Sequence, residues 1–216
     1  TGIHAATGEY VHFMDVDDLL TLDFYEKMSE CALKTEADMA CCGFFFERTP
    51  SHTQHVGYQT VVSTTEDKIL MTNVSNYGAC WRYIYKLSFL KKHSLLFEVG
   101  RLVEDRIFTI QAVYFANRIV MVPDAMYIYK HRKNAITTTK NTALIKKRHA
   151  DRKYANQFQS EFAEKHQFSL DKSLNRRRWQ YKLLGLPILT KIIYHAGKTR
   201  WYFLGIPVFQ KKEIDT

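Results

Sequence analysis

The fold is decided by residues 6–18, which read A-T-G-E-Y-V-H-F-M-D-V-D-D. Apolar and aromatic side chains dominate residues 9–16, which predicts a β-strand. Asp15, Asp17 and Asp18 follow at its carboxyl end, which is where open α/β sheets bind their ligands. Carboxylate oxygens suit Mg²⁺ or Mn²⁺, and these ions bind phosphates in turn. The alternative is a solvated turn with a helix N-cap, where Asp is also favoured.

Helical and strand patterns alternate along the rest of the first 170 residues, which predicts an α/β fold. A capping-box pattern at 63–66 should open a short helix. The other predicted helices are 23–34, 103–117 and 142–166, with residues 81–90 becoming helical toward their end, and the predicted strands are 39–46, 119–122 and 126–129.

Composition limits the class of protein. The 216 residues are 46% hydrophobic and 25% charged, which is typical of one folded domain with or without an appendage. The four cysteines form no C-x-x-C pair, so we expect reduced thiols in a cytosolic protein instead of disulfides or a zinc site. The longest apolar stretch, residues 183–194, is too short to span a bilayer.

Positive charge is concentrated at the end of the chain. The net charge is +9, and residues 175–216 hold nine basic and two acidic residues. This asymmetry suggests an anionic partner: a membrane surface, a nucleic acid or an acidic glycan. The apolar phrase of residues 184–188 recurs at 204–208, which we interpret as two turn-terminated hydrophobic anchors. No recognised nucleic-acid motif is present, so nucleic acid is not an expected partner.

A second pair of acids, Glu104 and Asp105, stands at the start of the predicted helix 103–117. Carboxylates are stabilised there by the helix dipole and the free N–H groups, so simple capping is one interpretation. The other interpretation is catalytic, because a carboxylate can act as a general base.

Residues 6–18 closely resemble the signature of family 2 glycosyltransferases, in which A-x-G-E-Y-I leads through an apolar strand into D-x-D-D. A later part of the pattern, W…l-y…F-x-x-G followed by E-D, is matched in order and approximate spacing by Trp81, Ile84, Tyr85, Phe97, Gly100, Glu104 and Asp105. The resemblance covers roughly residues 3–139. It implies a partial GT-A fold, the fold of nucleotide-diphospho-sugar transferases, with a nucleotide-sugar donor and Mn²⁺ or Mg²⁺ as cofactor.

The resemblance also implies roles for the two groups of acids. Asp15 would face the donor ribose or the metal shell, Asp17 would bind the metal directly, and Asp18 would cap or support the loop. Asp105 would be the catalytic base, while Glu104 would orient that base or bind acceptor. Because the helix N-terminus lowers the proton affinity of a carboxylate, we expect Asp105 to be ionised at neutral pH without a matched pKa.

Four further residues are candidates on the same resemblance. Trp81 could stack on an acceptor sugar or lie in the core. The segment Tyr129-Lys130-His131-Arg132 resembles the family's Y-x-Y-R-x-R. Lys130 and Arg132 would then meet the donor diphosphate ahead of a lid at 134–139, and His131 is either a third metal ligand or a surface histidine.

These expectations combine into one functional prediction. Residues 1–140 form the C-terminal part of a GT-A domain, 141–174 a helical extension and 175–216 a basic aromatic tail that could dock on anionic membrane. The enzyme transfers a sugar with inversion from a nucleotide-sugar, expected to be a UDP-sugar, to a glycan or lipid-linked acceptor.

We expect this enzyme to work in surface-polysaccharide or lipopolysaccharide assembly, in the cytoplasm or at the inner face of the cell membrane. The nucleotide-binding half of the family lies outside these residues, so this chain alone should bind nucleotide sugar weakly. The alternatives are a non-catalytic glycan- or membrane-binding module and a nucleic-acid-binding protein.

Overall fold

The computed structural model describes residues 2–132, 135–136 and 138–170, together with the backbone of four strands between residues 177 and 212. The chain divides into two compact units, residues 1–170 and residues 171–216. Each unit is described by itself.

The first unit contains a mixed six-stranded sheet. Its strands follow the order β1-β5-β3-β6-β2, and β4 also pairs with β6. Only β3 and β6 run parallel to each other, and the remaining pairs are antiparallel. The strands are β1 Tyr10–His12, β2 Leu19–Leu20, β3 Met39–Phe46, β4 Thr60–Val62, β5 Tyr83–Lys86 and β6 Ile119–Tyr129.

Six α-helices accompany this sheet in the described part of the unit. They are α1 Gly2–Ala5, α2 Phe24–Thr35, α3 Thr65–Thr72, α4 Leu87–Lys92, α5 Glu104–Phe115 and α6 Thr142–Lys165, and short 3₁₀ turns lie at Pro50–His52 and Cys80–Arg82. The predicted helices at 23–34, 103–117 and 142–166 and the buried strand at 39–46 are confirmed to within about two residues at each end. The α/β fold class is confirmed with them.

Both faces of the sheet are covered by apolar side chains. Met39 and Cys41 of β3 lie in one hydrophobic cluster with Phe108 of α5, whereas Ala40 and Cys42 lie in the other cluster. Successive side chains of a strand point to opposite faces, so β3 is buried on both sides. This explains why residues 39–46 form a continuous apolar run instead of alternating.

Three predicted boundaries were wrong. The first strand spans only Tyr10–His12, since Phe13 leaves the sheet and packs against the rings of Tyr85, Phe97 and Phe108. Residues 119–129 form one strand instead of two, with Asp124 at φ 58° where the pairing with β3 shifts register. The N-cap of α3 is Thr64, one residue later than predicted, and its side chain accepts from the backbone N–H of Asp67.

The second unit is a four-stranded antiparallel sheet in the order β10-β9-β8-β7. The predicted pair of hydrophobic anchors lies partly outside the described residues, but its flanks are paired strand positions: Leu183 with Leu186, and Phe203 with Ile206. The repeated phrase therefore accompanies two repeated hairpins, which the sequence did not predict. The strands are β7 Arg177–Leu183, β8 Leu186–Ile193, β9 Lys198–Phe203 and β10 Ile206–Lys212. Among the described residues, no helix is long and apolar enough to cross a membrane.

Candidate active site

The loop that carries Asp15, Asp17 and Asp18 is fastened to strand β6. The Asp18 side chain is 4% exposed and accepts hydrogen bonds from the Tyr127 hydroxyl at 2.6 Å and the Lys130 backbone N–H at 2.7 Å. The Tyr127 hydroxyl in turn accepts from the backbone N–H of Asp15 at 3.2 Å. Asp18 thus supports the loop, as the sequence suggested, and Tyr127 is its main partner.

The segment after β6 lies against this loop. The Arg132 guanidinium contacts the Asp17 carboxylate at 3.1 Å. Two residues earlier, Lys130 is paired with Glu47, whose carboxylate also accepts from the backbone N–H of His131 at 3.2 Å. The two segments that the resemblance assigns to the donor are therefore neighbours. Glu47 was not a sequence candidate, because it follows β3 without any motif around it.

Asp105 lies in the first turn of α5, where its carboxylate accepts from the backbone N–H of Arg106 at 2.8 Å. Burial raises the pKa of Asp105 to about 6, and the neighbouring Glu104 and Asp15 add to this rise. The hydrogen bond and the charge of Arg106 lower the pKa by less than burial raises it. The expectation that the helix N-terminus lowers the proton affinity of Asp105 was wrong, because desolvation outweighs it here, although a carboxylate with a pKa of about 6 is still mostly ionised at neutral pH as expected.

The two groups of acids lie near enough in space for their charges to interact, although about 90 residues separate them in the chain. The carboxylates of Asp15, Glu104 and Asp105 lie close enough that Glu104 raises the pKa of both aspartates and Asp15 raises that of Asp105. Burial raises the pKa of the Cys80 thiol, and the same three acids add to it. The four side chains therefore mark one site.

The carboxylates of this site suit a divalent metal that also binds a substrate diphosphate. They do not surround a metal ion on their own. Among the described residues, no three His, Cys, Asp or Glu side chains are grouped to hold an ion, and this includes the predicted set of Asp15, Asp17 and His131. Mg²⁺ typically uses one or two protein carboxylates and fills the remaining positions with water and substrate phosphates. Loss of hydration raises the pKa of Asp15, and Asp18, Asp17 and Glu104 add to it. This concentration of acids is what a cation would offset.

The third metal ligand proposed from the sequence, His131, is an exposed residue with its backbone N–H bonded to Glu47. Its surface placement matches the alternative that the sequence left open.

Trp81 is 8% exposed and its ring stacks on Tyr127 with centroids 4.2 Å apart. This is the core placement that the sequence left open, and it leaves little of the ring for a sugar. A concave surface that encloses about 380 Å³ lies close to Trp81 and offers a sugar more room than this ring does. Both aromatic and hydroxyl groups line it. Its lining residues are Phe46, Arg48, Thr49, Tyr129, His131 and Thr138.

A mixed sheet covered on both faces, with acids gathered after its first strand and at the start of a helix, fits part of a GT-A fold. Solved structures agree. A crystal structure of S. aureus TarS in complex with UDP-GlcNAc matches with a TM-score of 0.53 and 18% identity, covering 80% of this chain and 53% of that chain. At this identity the likeness establishes the fold alone.

Sequence comparison supports the resemblance to family 2 glycosyltransferases. Residues 1–94 match the model described as Glycosyl transferase family 2, which confirms the resemblance over that range. The uncharacterized glycosyltransferase EpsJ of Bacillus subtilis (strain 168) is 30% identical over 145 residues, covering 63% of this chain and 42% of EpsJ. The uncharacterized glycosyltransferase YibD of Escherichia coli (strain K12) is 27% identical over 136 residues, covering 59% of this chain and 40% of YibD. The chain thus spans less than half the length of these curated relatives.

Proposed function

We propose that this chain is the acceptor-side part of an inverting, metal-dependent glycosyltransferase. It would transfer a sugar from a nucleotide-diphospho-sugar to a glycan or lipid-linked acceptor in the assembly of surface polysaccharide or lipopolysaccharide. The observation that carries the proposal is the meeting of Asp15 with Glu104 and Asp105. The donor site and the general base must lie side by side, because the acceptor oxygen attacks the same sugar carbon from which the diphosphate departs.

In this proposal Asp105 removes the proton from the acceptor hydroxyl as its oxygen attacks the anomeric carbon. A base works best when its pKa lies near the working pH, and about 6 is closer to neutrality than the ordinary value of an aspartate. Attack from the face opposite the leaving diphosphate inverts the configuration. Glu104, the adjacent residue, points about 100° away around the helix and would hold or orient the acceptor.

Asp17 and Asp15 would hold Mn²⁺ or Mg²⁺, which when bound supplies positive charge that offsets the negative charge of a leaving diphosphate. Arg132 forms an exposed ion pair with Asp17. Such pairs contribute only about 0–1 kcal/mol to the free energy of unfolding. Arg132 is therefore free to turn toward a diphosphate at little cost, and Lys130 would add a second cation.

The acceptor would occupy the concave surface that Phe46, Tyr129 and Arg48 share with two threonines and His131. The rings of Phe46 and Tyr129 lie 5.1 Å apart and offer apolar faces, and the threonine hydroxyls are hydrogen-bonding groups. This surface reaches His131, next to the residue that contacts Asp17. Acceptor contact by Trp81 remains a prediction that depends on the small exposed part of its ring.

The proposal is tested by measuring the rate of sugar transfer in the longest native protein that contains this chain. UDP-GlcNAc is the first donor to try, because TarS was crystallised with it. Asp105→Asn keeps the shape of the side chain but cannot take the proton, so turnover should fall about 10²–10⁴-fold. Glu104→Gln should lose less turnover and raise the KM for acceptor. Full activity of both variants would reduce this pair to a helix cap and refute the proposal.

The basic tail supports a location at the inner face of the cell membrane. Residues 175–216 carry a net charge of +7, and each basic residue near an anionic membrane contributes about 1 kcal/mol. Co-sedimentation with anionic liposomes should weaken as salt rises, because surface charges are then screened. Equal binding to neutral liposomes would count against docking by charge.

A further inference from the structure

Helix α6 buries an unusual line of side chains. Its buried residues are Asp151, Ala155, Gln159 and Ala163, which recur every four positions and so share one face. Of its three aromatic residues, Phe158 and Phe162 are half-buried against the core and Tyr154 is exposed. Covering the core does not by itself require two buried polar side chains, because a buried polar group is costly without partners.

The first buried polar residue, Asp151, holds the loop that leads into α5. Its carboxylate accepts from Arg101 at 3.1 Å, from the backbone N–H of Leu102 at 3.0 Å and from Lys147 at 2.9 Å. Lys147 also donates to the backbone carbonyl of Gly100 at 2.7 Å. Three consecutive residues before the Glu104–Asp105 pair are thus attached to α6.

The second buried polar residue, Gln159, holds the residue that follows Asp105. Its side-chain oxygen accepts from the Arg106 guanidinium at 3.2 Å, and its side-chain nitrogen donates to the Arg106 backbone carbonyl at 3.4 Å. The same guanidinium donates to the backbone carbonyl of Ser75 at 2.9 Å. Arg106 is therefore fixed from two sides, and its backbone N–H is the one that donates to Asp105.

We propose that Asp151 and Gln159 are positioning residues that fix the first turn of α5 and, through Arg106, the place and orientation of Asp105. Neither touches the reacting atoms. The inference rests on the proposed role of Asp105 as the base. It makes α6 a structural part of the active site, whereas the sequence suggested only an extension beyond the transferase domain.

A row of polar side chains on α6 can fix the first turn of α5 better than a row of apolar side chains could. Apolar contacts are non-directional and allow a helix to slide, whereas hydrogen bonds fix distances and angles. A misplacement of about 1 Å in an active site can cost about 10²-fold in rate. The charged groups that act on Asp105 are Glu104, Asp15 and Arg106, and Arg106 is the one cation among them. Arg152 of α6 also acts on Arg106 and lowers its pKa, after the larger effect of burial.

Gln159→Met tests the proposal, with Gln157→Met as a matched control on the exposed side of the same helix. Methionine fills a similar volume but makes neither hydrogen bond to Arg106. We expect kcat to fall about 10- to 100-fold with little change in the KM for donor. The control should match the unmodified protein.

A second readout needs no turnover. Hydrogen exchange at the Arg106 amide, the donor to Asp105, should quicken by about 10-fold or more in Gln159→Met and stay unchanged in Gln157→Met. If Asp105→Asn and Glu104→Gln both remain active, the proposed function fails, yet this exchange still reports whether α6 fixes the turn. If Gln159→Met does not fold, Asp151→Asn is judged by the same exchange and kcat measurements. Variants that match the control in both readouts would overturn the proposal.

Discussion

The two groups of acids in this site differ in how their charge is handled. In the loop after β1, Asp18 has two hydrogen-bond donors and Asp17 has the Arg132 guanidinium. At the start of α5, Asp105 accepts only the backbone N–H of Arg106 and forms no ion pair within the described part of the chain. Burial raises the pKa of Asp15, Asp18 and Asp105 alike, so the two groups differ in their partners: the loop is held by side-chain and backbone donors, whereas Asp105 has one backbone donor and a pKa of about 6.

This difference has a physical origin. Hydrogen bonds and an ion pair hold the loop acids in place, which suits groups that must hold a cation, and the donors of Asp18 offset part of the rise in its pKa that burial causes. A buried carboxylate without a counter-ion has a raised pKa, and that suits a group that must accept a proton near neutral pH. The neighbouring acids Asp15 and Glu104 raise the pKa of Asp105 further. The two functions can therefore share one site because the surroundings of their carboxylates differ.

After the loss of the base, the largest expected effect comes from removing charge from the loop. Asp17→Asn should lower turnover about 10²–10³-fold at saturating donor, as the loss of one charge-stabilising group does in other enzymes. The apparent affinity for Mn²⁺ should fall with it, as measured by titrating the metal into the assay. Asp124→Asn, an exposed aspartate on the same domain, is the control. Unchanged dependence on Mn²⁺ in Asp17→Asn would remove this residue from the metal site.

The next effect is smaller and is a gain instead of a loss: we expect Asp105→Asn to raise the free energy of unfolding. Because the folded pKa of Asp105, about 6, exceeds the ordinary 3.8, the protonated form is favoured by folding and the ionised form destabilises the protein above pH 6. The variant should therefore be more stable than the unmodified protein by about 2–3 kcal/mol at pH 8, and the difference should vanish below about pH 4.

Urea unfolding across this pH range measures that difference. Asp67→Asn is the matched control, since Asp67 lies in the first turn of α3 but is exposed. Its removal should cost about 0.3–1 kcal/mol, because an exposed acid at a helix N-terminus is stabilising. Equal effects of the two substitutions would show that burial does not distinguish the two helix starts.

The smallest expected effect comes from the hydroxyl that fastens the loop. Tyr127→Phe leaves the buried Asp18 with one donor and removes the acceptor of the Asp15 N–H, so unfolding free energy should fall by about 1–2 kcal/mol. Tyr58→Phe at an exposed site is the control. Urea unfolding measures both variants, and a Tyr127→Phe variant as stable as its control would show that Asp18 alone holds the loop.

Much of the first unit could be predicted because its signals are local. The continuous apolar run of β3 and the periodicity of α2, α5 and α6 follow from side chains a few residues apart. The acids of the site were found from motifs at Asp15–Asp18 and Glu104-Asp105. Glu47, Tyr127 and Gln159 were missed, since each acts on a residue more than 50 positions away.

The strands of the tail were not predicted, for a related reason. Prolines and glycines interrupt the strand-like pattern of its sequence. Pro187 and Pro207 lie beside register shifts in the paired hairpins. Proline is tolerated in strands at such irregularities, but from sequence it argues against a strand. The twenty-residue recurrence was the available signal, because it marks two equivalent hairpins.

The sequence by itself determined the elements of the first unit, the resemblance to family 2 glycosyltransferases and the identity of the acids that are candidates for chemistry. Only the tertiary structure decided that Asp15 and Asp105 meet, that Trp81 lies in the core, and that α6 turns Asp151 and Gln159 toward α5. It also reversed the expectation for the pKa of Asp105. Periodicity and motifs are properties of neighbouring residues, whereas desolvation and charge interactions depend on residues that only folding brings together.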